Sequence, residues 1–276
     1  RLGCVSWARD VYKRQVFSDL DGCFLNEDYT YQESLPALES LRKHKIPLVL
    51  VSSKTEAEIG WLVLELGLKS PFVCENGGVI CWNRGSDSIH ERRTILGRSR
   101  VQILEFLSTL KPEFSFRSFA DLGVDGISEL TGLDAVQAGR AAERQTNEPL
   151  VWDDDPVRLE AFQQRIDQEG LTLTRGGRFW HIAGKVNKGI GLSHVVDHWE
   201  AIPKVARTMG IGDSPIDQPL LENADVAVVI PRPSGEILIQ IQHSQLVVAS
   251  VPGARGWAEA IFKVLDGSTR DEVNHG

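Results

Sequence analysis

Two aspartates separated by a single leucine stand in Asp19-Leu20-Asp21-Gly22-Cys23-Phe24-Leu25, directly after the β-forming run Gln15-Val16-Phe17-Ser18. Carboxylates placed where a strand stops can do more than close a turn. One can attack an electrophilic centre as a nucleophile. A second, two residues on, can protonate the leaving oxygen and then activate water. Other polar groups occur in comparable positions. Ser52 and Ser53 end an apolar run that begins at Ile46. Asp213 and Asp217, in Gly212-Asp213-Ser214-Pro215-Ile216-Asp217, follow a run ending at Ile211, and Lys188 opens a helical stretch upstream of it. Singly, each has an ordinary explanation. Aspartate is a common turn residue, Thr55 with Glu58 makes the serines the lead-in to a capped helix, and a lone lysine is usually a solvated charge. Together, at the carboxyl ends of neighbouring strands, they make one ligand-binding crevice. Carboxylates crowded in this way repel and need a cation, and an all-oxygen set suits Mg2+. A lysine and a hydroxyl are suited to hold phosphoryl oxygens as charge shifts.

The elements that must position these groups alternate between strand and helix. Residues 16–20 read as a strand, and residues 33–45 have the apolar spacing of an amphipathic helix. Ile46–Ser53 is a continuous apolar run, as in a strand buried on both faces of a parallel sheet. Residues 55–68 read as a helix closed by Gly67, and residues 71–82 as two short strands around Glu75-Asn76-Gly77-Gly78. This order predicts an α/β fold with a doubly wound, Rossmann-like parallel-sheet core. The middle of the chain is different. Helices are expected at residues 100–110, 134–145 and 156–170, strands at 114–119 and 148–152, and a hairpin across 171–184 turning at Gly176-Gly177. The core pattern returns with a helix at 187–199, a strand ending near Asp213, a helix at 219–224, strands at 226–230 and 245–250, and a last helix at 256–265. The expected organisation is therefore a first core segment at 16–85, an inserted α/β cap at 86–184, and a second core segment at 185–276. Residues 1–15 carry neither period, resemble non-native or disordered sequence, and are set aside from fold reasoning.

Composition bounds the function. The chain has 276 residues, enough for a substantial core, with 42% apolar and 25% charged residues and a net charge of −8. That acidity argues against nucleic acid as a partner. No apolar run reaches membrane-spanning length and no signal peptide is visible, so no membrane association is expected and the location is read as cytoplasmic. Cys4, Cys23, Cys74 and Cys81 form no C-x-x-C motif, and buried free thiols are the expected state. Oligomeric state is not legible.

The set Asp19-Leu20-Asp21-Gly22, Ser53, Lys188 and Gly212-Asp213-Ser214-Pro215-Ile216-Asp217 resembles, in order, the four motifs of the haloacid dehalogenase-like phosphatases. Ser52-Ser53-Lys54-Thr55, the stretch 71–80, residues 141–152 and residues 176–184 resemble, more narrowly, the mannosyl-3-phosphoglycerate phosphatase family, over about Val16 to Leu265. The resemblance implies that Asp19 is the nucleophile and Asp21 the general acid and base. It implies that Ser53 binds phosphate and that Lys188 neutralises the phospho-enzyme. Mg2+ would be held by Asp19, the backbone carbonyl of Asp21, Asp213 and Asp217, the last directly or through water. Lys54, Asn76 and the Gly77 and Gly78 amides would face the substrate. In the cap, Arg144 and Arg178 are either clamps for a glycerate carboxylate or partners of ion pairs inside the cap. Glu148 and His181 are candidates for sugar hydroxyls. Two departures from the family pattern stand out: Cys23 in place of threonine, and Ile216 in place of an asparagine that orders the metal site. The implied activity is removal of phosphate from a mannosyl- or glucosyl-3-phosphoglycerate, yielding a compatible solute of the mannosylglycerate type. The alternatives are phosphatase action on another small sugar phosphate, or a catalytically weak sugar-phosphate-binding protein.

Overall fold

The computed structural model describes residues 14–82, 92–176, 178–200 and 207–273, the last eight of these by backbone alone. It divides into two compact units, one made of Arg1–Leu50 with Leu192–Gly276, the other of Val51–Gly191.

The first unit is built on a parallel sheet. Its strands are β1 (Arg14–Ser18), β2 (Leu48–Leu50), β10 (Arg207–Gly212), β11 (Val226–Val229) and β12 (Leu246–Val248), in the order β12-β11-β10-β1-β2. Val16, Phe17, Val49, Leu50, Ile211 and Val228 are all buried, the pattern of strands covered on both faces. Helices α1 (Leu35–Lys43), α8 (Gln218–Glu222) and α9 (Gly253–Val273) belong to this unit. β1 begins two residues sooner than the sequence suggests: Arg14 and Gln15 pair with Arg207 and Thr208 and are buried. Residues 1–13 lie outside the described residues.

The second unit carries α2 (Glu56–Glu65), β3 (Phe72–Cys74), β4 (Val79–Cys81), β5 (Arg93–Ile95), α3 (Arg100–Leu110), β6 (Phe116–Ser118), α4 (Phe119–Thr131), α5 (Ala135–Ala142), β7 (Asn147–Trp152), α6 (Leu159–Gln168), β8 (Thr172–Arg175) and β9 (Trp180–Ala183). Helix α7 (Lys188–His198) starts here and ends in the first unit. Strands β3, β4 and β5 form an antiparallel sheet, and an antiparallel sheet in the order β6-β7-β9-β8 forms inside the inserted stretch. One face of the latter sheet presents Phe116, Leu150, Leu173 and Ile182 to Ile103, Leu107, Phe162 and Ile166 of α3 and α6. This is the α/β architecture expected, a parallel core with antiparallel sheets inserted. The unit takes in residues 51–85 and 185–191 as well as the stretch read as a cap.

Two elements escaped the sequence reading. Helix α4 holds Gly123 at φ 62°, ψ −174° and Gly126 in its interior, which break the apolar period; a capping box of Ser118 with Asp121 starts it all the same. Strand β5 is three residues long and partly exposed, so it shows neither alternation nor an apolar run. The hairpin β8–β9 is present as expected; Gly177 of its turn lies outside the described residues.

Candidate active site

In the first unit the stretch 19–25 makes a tight flap after β1. The N–H of Asp19 donates to the carbonyl of Ile211 (2.9 Å), so the ends of β1 and β10 are neighbours and Asp19 meets Asp213. The flap closes through Cys23 and Leu25 N–H groups on the Leu20 carbonyl. Helix α9 fixes it from behind. Trp257 packs edge-on to Phe24 at 5.0 Å and donates from Nε1 to Ser18 Oγ (2.9 Å), while the Ala254 N–H donates to Asn26 Oδ1 (2.9 Å). Gly22 has φ +78°, and a Cβ there would lie 2.7 Å from Asp213 Oδ2. Only glycine satisfies both conditions, so the sequence Asp-Gly is what lets the flap touch the second carboxylate.

Asp19, Cys23 and Asp213, all buried, bring one potential ligand atom each within 4.8 Å of the others. Two buried carboxylates at this range need positive charge between them. Their oxygens suit a hard divalent cation such as Mg2+, whereas the soft sulfur of Cys23 does not and is better read as lining. Arg232, which sequence reasoning did not single out, also approaches this cluster, with Nε 3.2 Å from Asp213 Oδ2. Asp21 and Asp217 are not members of the cluster. The Asp217 side chain has a structural duty: its Oδ2 accepts from the Asp213 N–H (3.2 Å), the Ser214 N–H (3.1 Å) and Ser214 Oγ (2.9 Å). Gly212 leaves room for it, since a Cβ there would fall 2.3 Å from Asp217 Cβ. Ser214 and Asp217 thus order the loop where Ile216 departs from the family pattern.

In the second unit Ser52–Lys54 lead into α2, whose N-cap Thr55 forms the expected capping box with Glu58. The loop is laced to the Glu75-Asn76 turn: Asn76 N–H donates to Ser52 O (3.0 Å) and Glu75 N–H to Lys54 O (3.0 Å). Lys54 Nζ lies 3.9 Å from Glu58 Oε1. Glu75 and Asn76 both have left-handed backbones, φ 52° and 56°, a strained pair held in place by the Glu75 side chain. Its fully buried carboxylate accepts from the N–H groups of Gln145 (2.8 Å), Thr146 (2.7 Å) and Asn147 (3.1 Å) and from Thr146 Oγ1 (3.0 Å). The glycines let the turn pack closely against its neighbours. Gly77, at φ +98°, fits against the Asn187 carbonyl, where a Cβ would come within 2.1 Å, and Gly78 fits against Thr146. The Gly78 N–H donates to Glu75 O (3.2 Å) inside the turn. Asn187 accepts from the Ile190 N–H (2.9 Å) and caps α7, so the buried Lys188 at its start is pinned to the Gly77 turn.

The cap residues separate into distinct surroundings. Arg144 is a hub: Nε donates to Ala141 O (3.0 Å), and Nη1 donates to Ser53 O (3.1 Å) and Asn147 Oδ1 (2.7 Å). Its guanidinium also lies over the Phe119 ring at 5.5 Å. Arg178 is exposed and donates to Thr131 O (2.9 Å) at the end of α4. Glu148 is fully buried, with Oε2 taken by Arg100 Nε (2.5 Å) and Oε1 by the Ala120 N–H (2.7 Å). It pairs with Ile182 in the register and so lies on the hydrophobic face of the sheet, opposite to His181. Strand alternation thus places Glu148 and His181, each a candidate for sugar hydroxyls, on opposite faces of the sheet. His181 is buried, and burial first, then the charges of Arg144, Lys188 and Arg175, hold its imidazole down at about 3. It is a neutral group in a positive field. Burial likewise pushes the Cys74 thiol well up, which fits an inert buried thiol.

The motifs and the fold that carries them recur in known proteins. A family profile described as haloacid dehalogenase-like hydrolase matches residues 16–243. A protein of Persephonella marina described as glucosyl-3-phosphoglycerate/mannosyl-3-phosphoglycerate phosphatase is 34% identical over 262 residues, 91% of this chain and 97% of that one. A protein of Methanococcoides burtonii with the same description is 32% identical over 270 residues, 92% and 97% of the two chains. Among solved structures, a phosphatase of the haloalkanoate superfamily from Bacteroides thetaiotaomicron has a TM-score of 0.67 at 16% identity, covering 96% of this chain and 99% of its own, a likeness of fold. The chain belongs to the haloacid dehalogenase-like hydrolases, as a phosphatase of that superfamily. No helix among the described residues is long and apolar enough to cross a membrane.

Proposed function

We propose that this phosphatase is Mg2+-dependent and removes the phosphate of a glucosyl- or mannosyl-3-phosphoglycerate, releasing the glycosylglycerate. The observation that carries the reading is the near full-length similarity, at 34% and 32% identity, to two proteins described by that activity. In this reading Asp19 attacks phosphorus with a carboxylate oxygen, the P–O bond to the glycerate breaks, and Asp21 gives its proton to the departing alkoxide. Asp21 then takes a proton from water, which attacks the acyl phosphate and regenerates Asp19. Asp19, Asp213 and the Asp21 carbonyl would hold the Mg2+, which supplies positive charge to offset that gathered on the phosphoryl oxygens. Asp217 keeps the Asp213 loop in place and reaches the ion at most through water. Ser53 and Lys188 are assigned to the phosphoryl oxygens and Asn76 to the substrate. Lys54 remains proposed as a substrate-facing group, and Arg144 and Arg178 as groups near the glycerate end, Arg144 through the contacts it makes rather than as a free fork.

The test is a phosphate-release screen on glucosyl- and mannosyl-3-phosphoglycerate and on simple hexose phosphates, with Mg2+ and with a chelator. Release from the glycosyl phosphoglycerates that the chelator abolishes is expected. Release from hexose phosphates alone would overturn the substrate, and release unaffected by chelation would overturn the metal.

A further inference from the structure

The inserted sheet has one hydrophobic face and one polar face. Register places Asn147, Pro149, His181 and Ala183 together on the face turned away from the Leu150–Ile182 cluster. Asn147 pairs with Ala183 and Pro149 with His181, so Asn147 and His181 are diagonal neighbours, about 7–8 Å apart between Cα atoms. Asn147 is fully buried and His181 is 8% exposed. Among the described residues, Asn147 Nδ2 and His181 Nδ1 are both buried and have no hydrogen-bond partner. Buried polar atoms are nearly always partnered in native proteins, so two orphans on one face need an explanation.

The surroundings say what the missing partner is. Arg144 donates to Asn147 Oδ1 at 2.7 Å, which settles the amide orientation and leaves Nδ2, a pure donor, as the atom without an acceptor. The Asn147 backbone is clamped by Glu75, so the amide is presented rigidly. His181 has its Nε2 edge against the hairpin turn, where a Cβ on Gly176 would come within 2.7 Å, leaving Nδ1 on the other edge. The same place feels the positive charges of Arg144, Lys188 and Arg175. Donors, a neutral imidazole and a positive field together call for an oxygen anion rather than a hydroxyl.

We propose that Asn147 Nδ2 and His181 Nδ1 form a subsite for the carboxylate of a phosphorylated hydroxy acid, with Arg144 as the positioning residue that aims the Asn147 amide. The proposal rests on the substrate reading above and sharpens it: the carboxylate meets an asparagine and a histidine on the polar sheet face, and the arginine acts through the asparagine. An anion seated there completes the hydrogen bonding of both orphans.

The experiment compares kcat/KM for two esters that differ only in a carboxylate, 3-phosphoglycerate and glycerol 3-phosphate. The wild type is expected to favour 3-phosphoglycerate by about ten- to a hundredfold, the worth of a hydrogen bond to a charged group. Asn147→Leu should lower that ratio by about tenfold, mostly through KM. Asn147→Asp keeps the volume and the acceptor for Arg144 and places a negative charge at the subsite. It should abolish or invert the preference, and it carries the test if Asn147→Leu does not fold. No preference in the wild type, or a parallel fall on both esters in both variants, would overturn the proposal. If the ratios behave as expected but glycosyl-3-phosphoglycerates are not hydrolysed, the subsite stands and the proposed substrate falls.

Discussion

Replacing Glu75 should loosen the second unit more than replacing almost any other charged residue. Its carboxylate is fully buried and takes four hydrogen bonds, three of them from consecutive backbone N–H groups at residues 145–147. In Glu75→Ala those N–H groups lose their acceptor in a buried setting, each at about 1–3 kcal/mol. Water entering the vacated volume recovers some of this, and the left-handed backbone at φ 52° suits alanine poorly. The expected loss is about 3–5 kcal/mol, near the top of the range for single substitutions. Glu75→Gln is a finer probe. Its amide oxygen can keep the three contacts made by Oε2 but turns an N–H2 toward the Gln145 N–H, so about 1–2 kcal/mol is expected. Urea denaturation followed by tryptophan fluorescence measures both; the alanine variant should move the midpoint down by about 1–2 M. Because Asn147 is one of the clamped residues, the loss of preference for 3-phosphoglycerate should accompany the loss of stability. An alanine variant within about 1 kcal/mol of the wild type would refute the reasoning, since it would mean the three N–H groups find other acceptors at little cost.

Gly22→Ala should leave the fold in place and cut phosphate release by about a hundredfold or more: its Cβ would fall 2.7 Å from Asp213 Oδ2 on a backbone at φ +78°, and a displacement of about 1 Å at a site of chemistry has that effect; circular dichroism beside a rate assay checks it. His181 is held neutral at about 3 against 6.5 in an unfolded chain, so stability present above pH 6.5 is lost as pH falls from 6.5 toward 3, at roughly 1.4 kcal/mol per pH unit. His181→Gln should remove that loss, and denaturation at pH 7 and pH 5 should show the wild type losing about 2 kcal/mol more than the variant. Ile216→Asn should leave the Mg2+ concentration for half-maximal rate within about twofold, because Ser214 and Asp217 already order the loop; a large drop in that concentration would show that the loop lacked an ordering contact.

Much of this molecule could be read in advance because its signals are local. The buried strands β2 and β11 are uninterrupted apolar runs, and the Thr55–Glu58 capping box follows from residue types three apart. Asp19 and Asp213 were found together because adjacent parallel strands must end side by side. What could not be read depends on long-range register or on a backbone with no periodic signature. Helix α4 was hidden by Gly123 and Gly126. Glu75 looked like a turn residue, and its role emerges only where the chain returns seventy-odd residues later at Thr146 and Asn147. Glu148 is a fair candidate by type, and only strand alternation in the β7–β9 pair sends it to the hydrophobic face. Asn147 lies within the family-like stretch 141–152, but what singles it out is an unsatisfied buried amide, which exists only in three dimensions.

The central claim is that the Asp19 carboxylate carries the phosphoryl group between ester and water. Rapid mixing of the enzyme with glucosyl-3-phosphoglycerate and Mg2+, followed by an acid quench and peptide mass spectrometry, tests it most directly. The expected result is a phosphorylated peptide containing Asp19 that forms within the first turnover and decays to free phosphate, with neither the modification nor turnover in Asp19→Asn. Steady phosphate release by the pure Asp19→Asn protein, or a phosphorylated residue other than Asp19 in the wild type, would contradict it.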